Sequence, residues 1–279
     1  MTISLPRHPS LLLATCLTVA GFAIGPAAAQ ESPGSQADGS GPAPIGTDRG
    51  WDIQDSPFDL NLTVAGTTDY VSLRGFSQTD RNPAIQATLD ASLYDFHAGF
   101  FTSNVYFGTP EPDVEFDPFI AYRPSFGPWS IDVTAYYYFY LDNDDLNYPE
   151  VFNTVSYTFE DVATIGATFA YAPNYFGDDR ETGTFYKGSL SVPLPNNFEF
   201  SGSLGYQDFD KGLFDRHLVW DAGVTYTFED AFSFDVRYHD TDLDASTQCT
   251  DTFKCGSTVV GTLSFTTGWK ALNKLARGN

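Results

Sequence analysis

The sequence predicts an all-β protein, an antiparallel transmembrane β-barrel of about twelve strands of the outer-membrane type. Three observations support this fold class: an export signal at the N-terminus, a period-two alternation of apolar and polar residues, and a rhythm of short turns and long loops. No stretch after the signal approaches the roughly 20 apolar residues that a membrane-spanning helix needs. A membrane location therefore requires a closed barrel, because only helices and barrels satisfy their backbone groups in lipid.

Residues 1–29 are predicted to be a signal peptide. A basic residue, Arg7, precedes an apolar run over residues 11–24, and Ala29 ends a run of small residues at which we expect cleavage. A lipoprotein anchored at Cys16 is the alternative, but cleavage there leaves a very short apolar core. Residues 30–57 are rich in Gly, Pro and Ser and are predicted to be a flexible linker. We assign residues 58–267 to the barrel and residues 268–279 to a C-terminal tail.

The alternation is clearest in four segments, in each of which apolar residues occupy one face and polar residues the other. These segments are 131–141, 198–207, 218–228 and 232–239.

The connections alternate between tight and long. Tight turns are predicted at 94–95, 124–128, 160–161, 194–197 and 229–230. Longer polar loops are predicted at 72–82, 108–112, 142–149, 173–181, 208–216 and 241–256. Five turns and six loops predict about twelve strands of roughly ten residues, the length of a tilted transmembrane strand. The turns are expected in the periplasm and the loops outside the cell.

A soluble all-β protein is the alternative, because alternation does not say which face is inside. Aromatic residues near the tight turns favour the membrane barrel, since a girdle of rings lies at the interface there. They are Tyr94, Phe96, Phe126, Trp129, Phe159, Phe228 and Phe232.

The chain is acidic, with 36 Asp and Glu against 14 Lys and Arg and a formal net charge of −22. This charge argues against nucleic acid as a partner, because binding phosphate requires basic side chains. The expected partners are outer-membrane lipid and lipopolysaccharide, the outer-membrane assembly machinery, and small solutes or ions. A homo-oligomer is compatible with the sequence, and we expect no cofactor. Cys249 and Cys255 remain after export and are predicted to form a disulfide rather than a metal site.

If the apolar face meets lipid, the charged residues of the other face line the lumen and set its ion preference. Alternatively, these charges pair with one another in a plugged interior, because a barrel of this size lies between small filled barrels and large open porins. The predicted lumen residues are Asp90, Arg123, Asp132, Lys187, Glu199, Asp221, Asp235, Arg237 and His239.

Two further clusters suggest other chemistry. Residues 142–147 form an acidic loop whose oxygen atoms suit Ca²⁺, although acidic loops are usually only solvated. His239 with Asp240 or Asp242 could form part of a hydrolase site, but no Gly-x-Ser-x-Gly motif supplies a nucleophile. We therefore expect no enzyme, and a closed structural or adhesive barrel is the stronger alternative to a pore.

The segment from Asp69 to Val105 carries a recognisable motif: Asp69-Tyr70, then Arg74-Gly75-Phe76-Ser77-Gln78-Thr79-Asp80, then Pro83-Ala84-Ile85-Gln86, and later Ser103-Asn104-Val105. In these residues the chain resembles the TorF family, formerly the uncharacterised proteobacterial Gcw-chp family. The resemblance implies an outer-membrane barrel with a porin function and no established substrate. The loop containing Arg74, Gly75, Ser77, Gln78 and Asp80 could contact a ligand, stabilise the fold, or bend inward as a constriction. Barrels of this type commonly end on an aromatic residue; here Phe265 or Trp269 is followed by a basic tail.

Overall fold

The computed structural model describes residues 56–108, 113–177, 181–212, 214–229, 231–249 and 254–270. The predicted signal peptide, Cys16, residues 30–55 of the predicted linker and the tail after residue 270 lie outside these ranges. In the described residues, no helix has the length and apolar character needed to cross a membrane.

Within these ranges thirteen strands follow one another, twelve of them long and one of two residues. They are β1 (Phe58–Thr67), β2 (Ala84–Leu93), β3 (Phe96–Asn104), β4 (Val114–Tyr122), β5 (Ser125–Phe126), β6 (Trp129–Tyr140), β7 (Tyr148–Phe159), β8 (Ala163–Tyr175), β9 (Glu181–Leu194), β10 (Phe198–Phe209), β11 (His217–Phe228), β12 (Phe232–Thr241) and β13 (Thr258–Gly268). A 3₁₀ turn, Asp144–Leu146, lies between β6 and β7.

The twelve long strands close into one antiparallel barrel. Each long strand pairs with the next long strand in sequence, and β1 pairs with β13 from Asn61 opposite Gly268 to Thr67 opposite Thr262. Strand β5 only extends the turn before β6, so β4 pairs directly with β6. The predicted fold class and strand number are confirmed. We call the end with the tight connections the turn end and the opposite end the loop end.

The outer surface of the barrel is apolar. Large hydrophobic side chains point outward along every long strand; Ile85 is 73% exposed, Ile120 67% and Leu204 57%. The inward face carries hydroxyl and charged groups, including cross-strand threonine pairs such as Thr154 with Thr168, whose hydroxyls lie 2.9 Å apart. A soluble barrel has the opposite arrangement, so this is a transmembrane barrel and the soluble alternative is wrong.

Aromatic rings surround the turn end. Neighbouring strands bring them into contact, as with Phe96 and Tyr122 (centroids 4.9 Å apart) and Trp129 and Tyr157 (4.8 Å). Such a girdle is suited to the boundary between lipid and water, where the rings contact both.

The tightly packed core lies inside the loop half of the barrel. Tyr138, Tyr140, Tyr148, Phe176 and Phe185 are fully buried there. Because these side chains fill the interior, the barrel is packed at one end like a soluble protein, whereas its turn half is lined by shorter and more polar groups.

Candidate functional site in the barrel lumen

The structure places the nine predicted lumen residues on the inward face of the wall. Six of them form two charged clusters, and the other three, Lys187, Glu199 and His239, form no ion pair within the part of the chain that the structure describes.

The first cluster is centred on Arg123, just after β4. Its Nη1 lies 2.7 Å from Asp90 Oδ2 on β2, and its Nε lies 2.8 Å from Asp132 Oδ2 on β6. His97 on β3 joins the cluster, with Nδ1 2.8 Å from Asp90 Oδ1. One guanidinium therefore connects four neighbouring strands and holds two carboxylates.

The second cluster is centred on Arg237 of β12. Its Nη1 lies 2.5 Å from Asp221 Oδ1, and its Nη2 lies 3.1 Å from Asp235 Oδ2 and 2.8 Å from Ser201 Oγ. Ser203 Oγ also donates a hydrogen bond to Asp221. In the ring of strands, this cluster on β10–β12 lies roughly opposite the Arg123 cluster on β2–β6.

These charged side chains are accessible to water although they point into the barrel. Their exposed fractions range from 15% for Asp90 to 34% for Asp132, with Arg237 at 20%. In the loop half, by contrast, the ion pair of Arg74 and Glu150 is 0% exposed. The lumen is therefore open to solvent in its turn half and closed in its loop half.

The segment that closes the loop half is the connection between β1 and β2, residues 68–83, which we call the plug loop. It folds back into the barrel as a narrow hairpin in which Val71 bridges to Ser77 and the Ser72 amide donates to Phe76 O at 2.7 Å. At its tip Gly75 adopts φ +85°, and a Cβ there would lie 2.3 Å from Thr241 Cγ2. Only glycine fits this tip, because both the backbone conformation and the close approach to the wall exclude a side chain.

Arg74 attaches the tip of the plug loop to the barrel wall. Its Nη2 forms an ion pair with Glu150 of β7, and its Nε donates to Gln207 Oε1 of β10 at 2.6 Å. The guanidinium carbon lies 5.2 Å from the ring centroids of both Tyr175 and Phe185. An opposite charge, a hydrogen bond and two aromatic faces therefore stabilise the buried guanidinium of Arg74.

Polar contacts within the plug loop maintain its shape. Asp69 Oδ1 accepts hydrogen bonds from Ser77 Oγ at 2.5 Å and Thr79 Oγ1 at 3.1 Å. Burial raises the pKa of the Asp69 carboxyl above its usual value, although both hydroxyls and nearby Arg81 act in the opposite direction. The Gln78 amide donates to Tyr70 O at 2.6 Å, which joins the two sides of the loop.

Residues 242–249 and 254–257, between β12 and β13, pack against the plug loop from the loop end. We call this connection the disulfide loop because Cys249 and Cys255 are bonded within it. The Ser77 amide donates to Lys254 O at 2.8 Å, and Arg81 Nη2 donates to Cys255 O at 3.3 Å. The disulfide loop therefore restrains the base of the plug loop.

Two buried carboxyl groups of the barrel wall lie next to the plug loop. Glu115 and Asp117 of β4 are 0% and 1% exposed, and Tyr70 Oη of the plug loop donates to Glu115 Oε1 at 2.8 Å. The sequence reasoning missed these two residues, and also Glu150, Gln207 and His97. The inward faces of their strands mix polar with aromatic or small residues, as with Phe119 and Ala121 on the face of Glu115, so the alternation gave only a weak signal.

The two acids suggested as hydrolase partners of His239 bind other groups. Asp240 Oδ2 accepts a hydrogen bond from Tyr238 Oη at 2.6 Å, and Asp242 Oδ1 accepts from the Leu218 amide at 2.7 Å. Both carboxylates are thus engaged away from His239.

In the acidic loop at residues 142–147, Leu146 is buried, and Asn147 Oδ1 accepts a hydrogen bond from the Tyr140 amide at 2.8 Å. These two contacts hold the loop against the end of β6.

Solved structures with a similar fold are outer-membrane porins and channels. The NanC porin aligns with a TM-score of 0.52 at 10% identity, over 74% of this chain and 98% of that chain. The KdgM porin in complex with disordered oligogalacturonate aligns with a TM-score of 0.49 at 7% identity, over 74% of this chain and 98% of that chain. An outer-membrane channel from Pseudomonas putida F1 gives 0.44 at 12% identity, over 80% of this chain and 100% of that chain.

The NanC likeness establishes the fold alone, because sequence identity is low. No curated protein sequence matches the chain. The family described as "Bacterial protein of unknown function (Gcw_chp)" matches residues 52–266. The match covers the whole barrel except the last two residues of β13. The chain therefore belongs to this family.

Proposed function

We propose that the protein is an outer-membrane channel for small solutes or ions, and that the plug loop closes it in the conformation described above. The observation that carries the proposal is the contrast between the two halves of the lumen. Charged, water-accessible side chains line the turn half, whereas the loop half is closed by a segment joined to β1 and β2 rather than by the wall alone. Such a segment can leave the lumen without opening the barrel.

In this proposal the turn end lies in the periplasm and the loop end faces the outside, with lipopolysaccharide around it. The porin function implied by the resemblance to the TorF family belongs to the same proposal. Among the predicted lumen residues carboxylates outnumber cationic groups, so an open channel prefers cations. The carboxylates are Asp90, Asp132, Glu199, Asp221 and Asp235, and the cationic groups are Arg123, Lys187 and Arg237.

Planar-bilayer recording of the refolded protein tests the proposal. The native chain is expected to show rare openings, whereas a variant with residues 69–82 replaced by a short Gly-Ser linker is expected to conduct steadily. In a salt gradient, the reversal potential of the variant should show a preference for cations. A heat-modifiability gel run on both proteins verifies that each barrel is folded.

A closed barrel without a pore is the second candidate, and the fully packed loop half favours it. The same recording separates the two functions. If the variant without the plug loop shifts normally on the gel but carries no current at any voltage, the channel function is contradicted and the closed barrel is supported. A hydrolase is not proposed, because Asp240 and Asp242 are engaged away from His239.

A further inference from the structure

A pair of buried carboxyl groups faces the plug loop. Glu115 and Asp117 lie two residues apart on β4 and therefore share its inward face. Glu115 Oε2 and Asp117 Oδ1 accept no hydrogen bond within the described residues, and neither residue forms an ion pair there. Residues two apart on one strand are about 6.6 Å apart along it, so two flexible acidic side chains on the same face can reach each other. The site thus combines two acids, full burial and unused acceptor atoms.

The neighbouring elements supply hydroxyl groups rather than a free cation. Arg74, the fully buried base of the plug loop, is already paired with Glu150. The titratable groups around the pair are Tyr70 of the plug loop and Tyr136, Tyr138 and Tyr140 of β6. Tyr148 and Glu150 of β7 lie beyond Tyr138, and Glu150 is paired with Arg74.

Two carboxylates cannot both be ionised at such a place, because burial and mutual repulsion each disfavour the double charge. A shared proton removes one charge and supplies the donor that an unused carboxylate oxygen needs. We infer that Glu115 and Asp117 form a proton-binding site that controls the plug loop. The pair holds one proton while the loop is in place, and loss of that proton displaces Tyr70 and the loop from the lumen.

The direction of the pH effect follows from which state binds the proton. With the plug loop displaced, the two carboxyl groups face lumen water and ionise as ordinary acids. The closed state therefore binds one more proton than the open state, so closure is favoured at low pH and is lost as pH rises. One linked proton changes the ratio of open to closed channels by at most about tenfold per pH unit. This inference rests on the proposed function, since it makes displacement of the same loop the opening step.

Two measurements on the full barrel in lipid test the inference. Infrared spectroscopy at neutral pH should show the carbonyl stretch of a protonated acid in the native protein, and Asp117→Asn should remove it. Bilayer recording between about pH 5 and pH 9 should show openings that become more frequent as pH rises. Glu115→Gln and Asp117→Asn should each flatten this dependence. Glu160→Gln, which removes an exposed carboxyl from a tight turn, serves as the matched control and should leave it intact.

A readout independent of current separates this inference from the channel function. Trypsin cleavage after Arg74, normalised to cleavage of a peptide at the same pH, reports loop displacement, because that residue is fully buried in the closed state. Cleavage should increase with pH in the native protein but not in Asp117→Asn. If cleavage follows this pattern while every variant is silent, the proton site is supported and the channel is contradicted. Cleavage independent of pH, or an infrared spectrum without a protonated acid, overturns the inference.

Discussion

Replacement of Arg74 by methionine tests the closure of the lumen at its main contact. Methionine keeps an unbranched apolar stem but removes the charge, the hydrogen bond to Gln207 and the ion pair with Glu150. Removal of one partner from a buried ion pair costs roughly 3–5 kcal/mol, because the other charge stays buried without compensation. The contacts of the guanidinium with the rings of Tyr175 and Phe185 add about 0.5–2 kcal/mol.

The plug loop avoids this cost by leaving the lumen, where water then reaches Glu150. We therefore expect Arg74→Met to increase the ratio of open to closed channels rather than to unfold the barrel. At about 1.4 kcal/mol per factor of ten, the ion-pair cost alone corresponds to roughly two to three and a half orders of magnitude. Single-channel recording of open probability measures this change, and a heat-modifiability gel shows that the barrel remains folded.

The double variant Arg74→Met/Glu150→Met is the matched control. Replacement of both members of a buried pair by apolar groups of similar size is often neutral, so the double variant should close again. A single variant that opens no more often than the native protein would refute the assigned role of Arg74. A double variant as open as the single one would show that the stranded charge of Glu150 is not the cause of opening.

Three further predictions concern the tip of the plug loop, the disulfide loop and the outer surface. Gly75→Ala should cost about 1–3 kcal/mol of loop closure, from the strain of φ +85° and a Cβ close to the wall, measured as a higher open probability. Replacement of Cys249 and Cys255 by serine should destabilise the disulfide loop by about 2 kcal/mol and increase trypsin cleavage of the plug loop; a reductant should reproduce this in the native protein and have no effect on the variant. Leu204→Arg, on the outer face near the middle of β10, should lower the unfolding free energy in vesicles by roughly 2–4 kcal/mol. The inward Ser191→Arg should cost less, and equal costs would contradict the assignment of the two faces.

The wall of the barrel was predictable from sequence because a strand has a period of two and a lipid-facing surface tolerates few charges. In β6, one charged residue, Asp132, assigns the inward face to every second position, and Tyr136, Tyr138 and Tyr140 then follow although they are as apolar as their neighbours. The positions of the tight turns followed from the short polar interruptions between such segments. Both features depend only on residues that are close in sequence, so they can be recognised in a single sequence.

The plug was not predictable in the same way, because its contacts join distant parts of the chain. Arg74 lies 76 residues from Glu150 and 133 residues from Gln207, and no local pattern relates them. The acids on β4 were also hidden, since Glu115 and Asp117 alternate with Phe116 and Pro118 in a strand with aromatic residues on both faces. The motif around Arg74 indicated that the loop matters, but not whether it contacts a ligand or the wall.

The chemistry of the plug favours a closure that can be reversed. An interior built for permanent closure is more stable with apolar side chains, because a buried ion pair often contributes less than a hydrophobic replacement of the same size. Here the ion pair of Arg74 with Glu150 attaches the tip of the plug loop to the wall, and the hydrogen bond from Tyr70 to Glu115 attaches its first part. Each contact is strong while its partner is in place and costly when the partner changes its charge. If the proposed opening occurs, a loop held by such contacts has two well-separated states, and we expect a single proton or a single substitution to change which of them is populated.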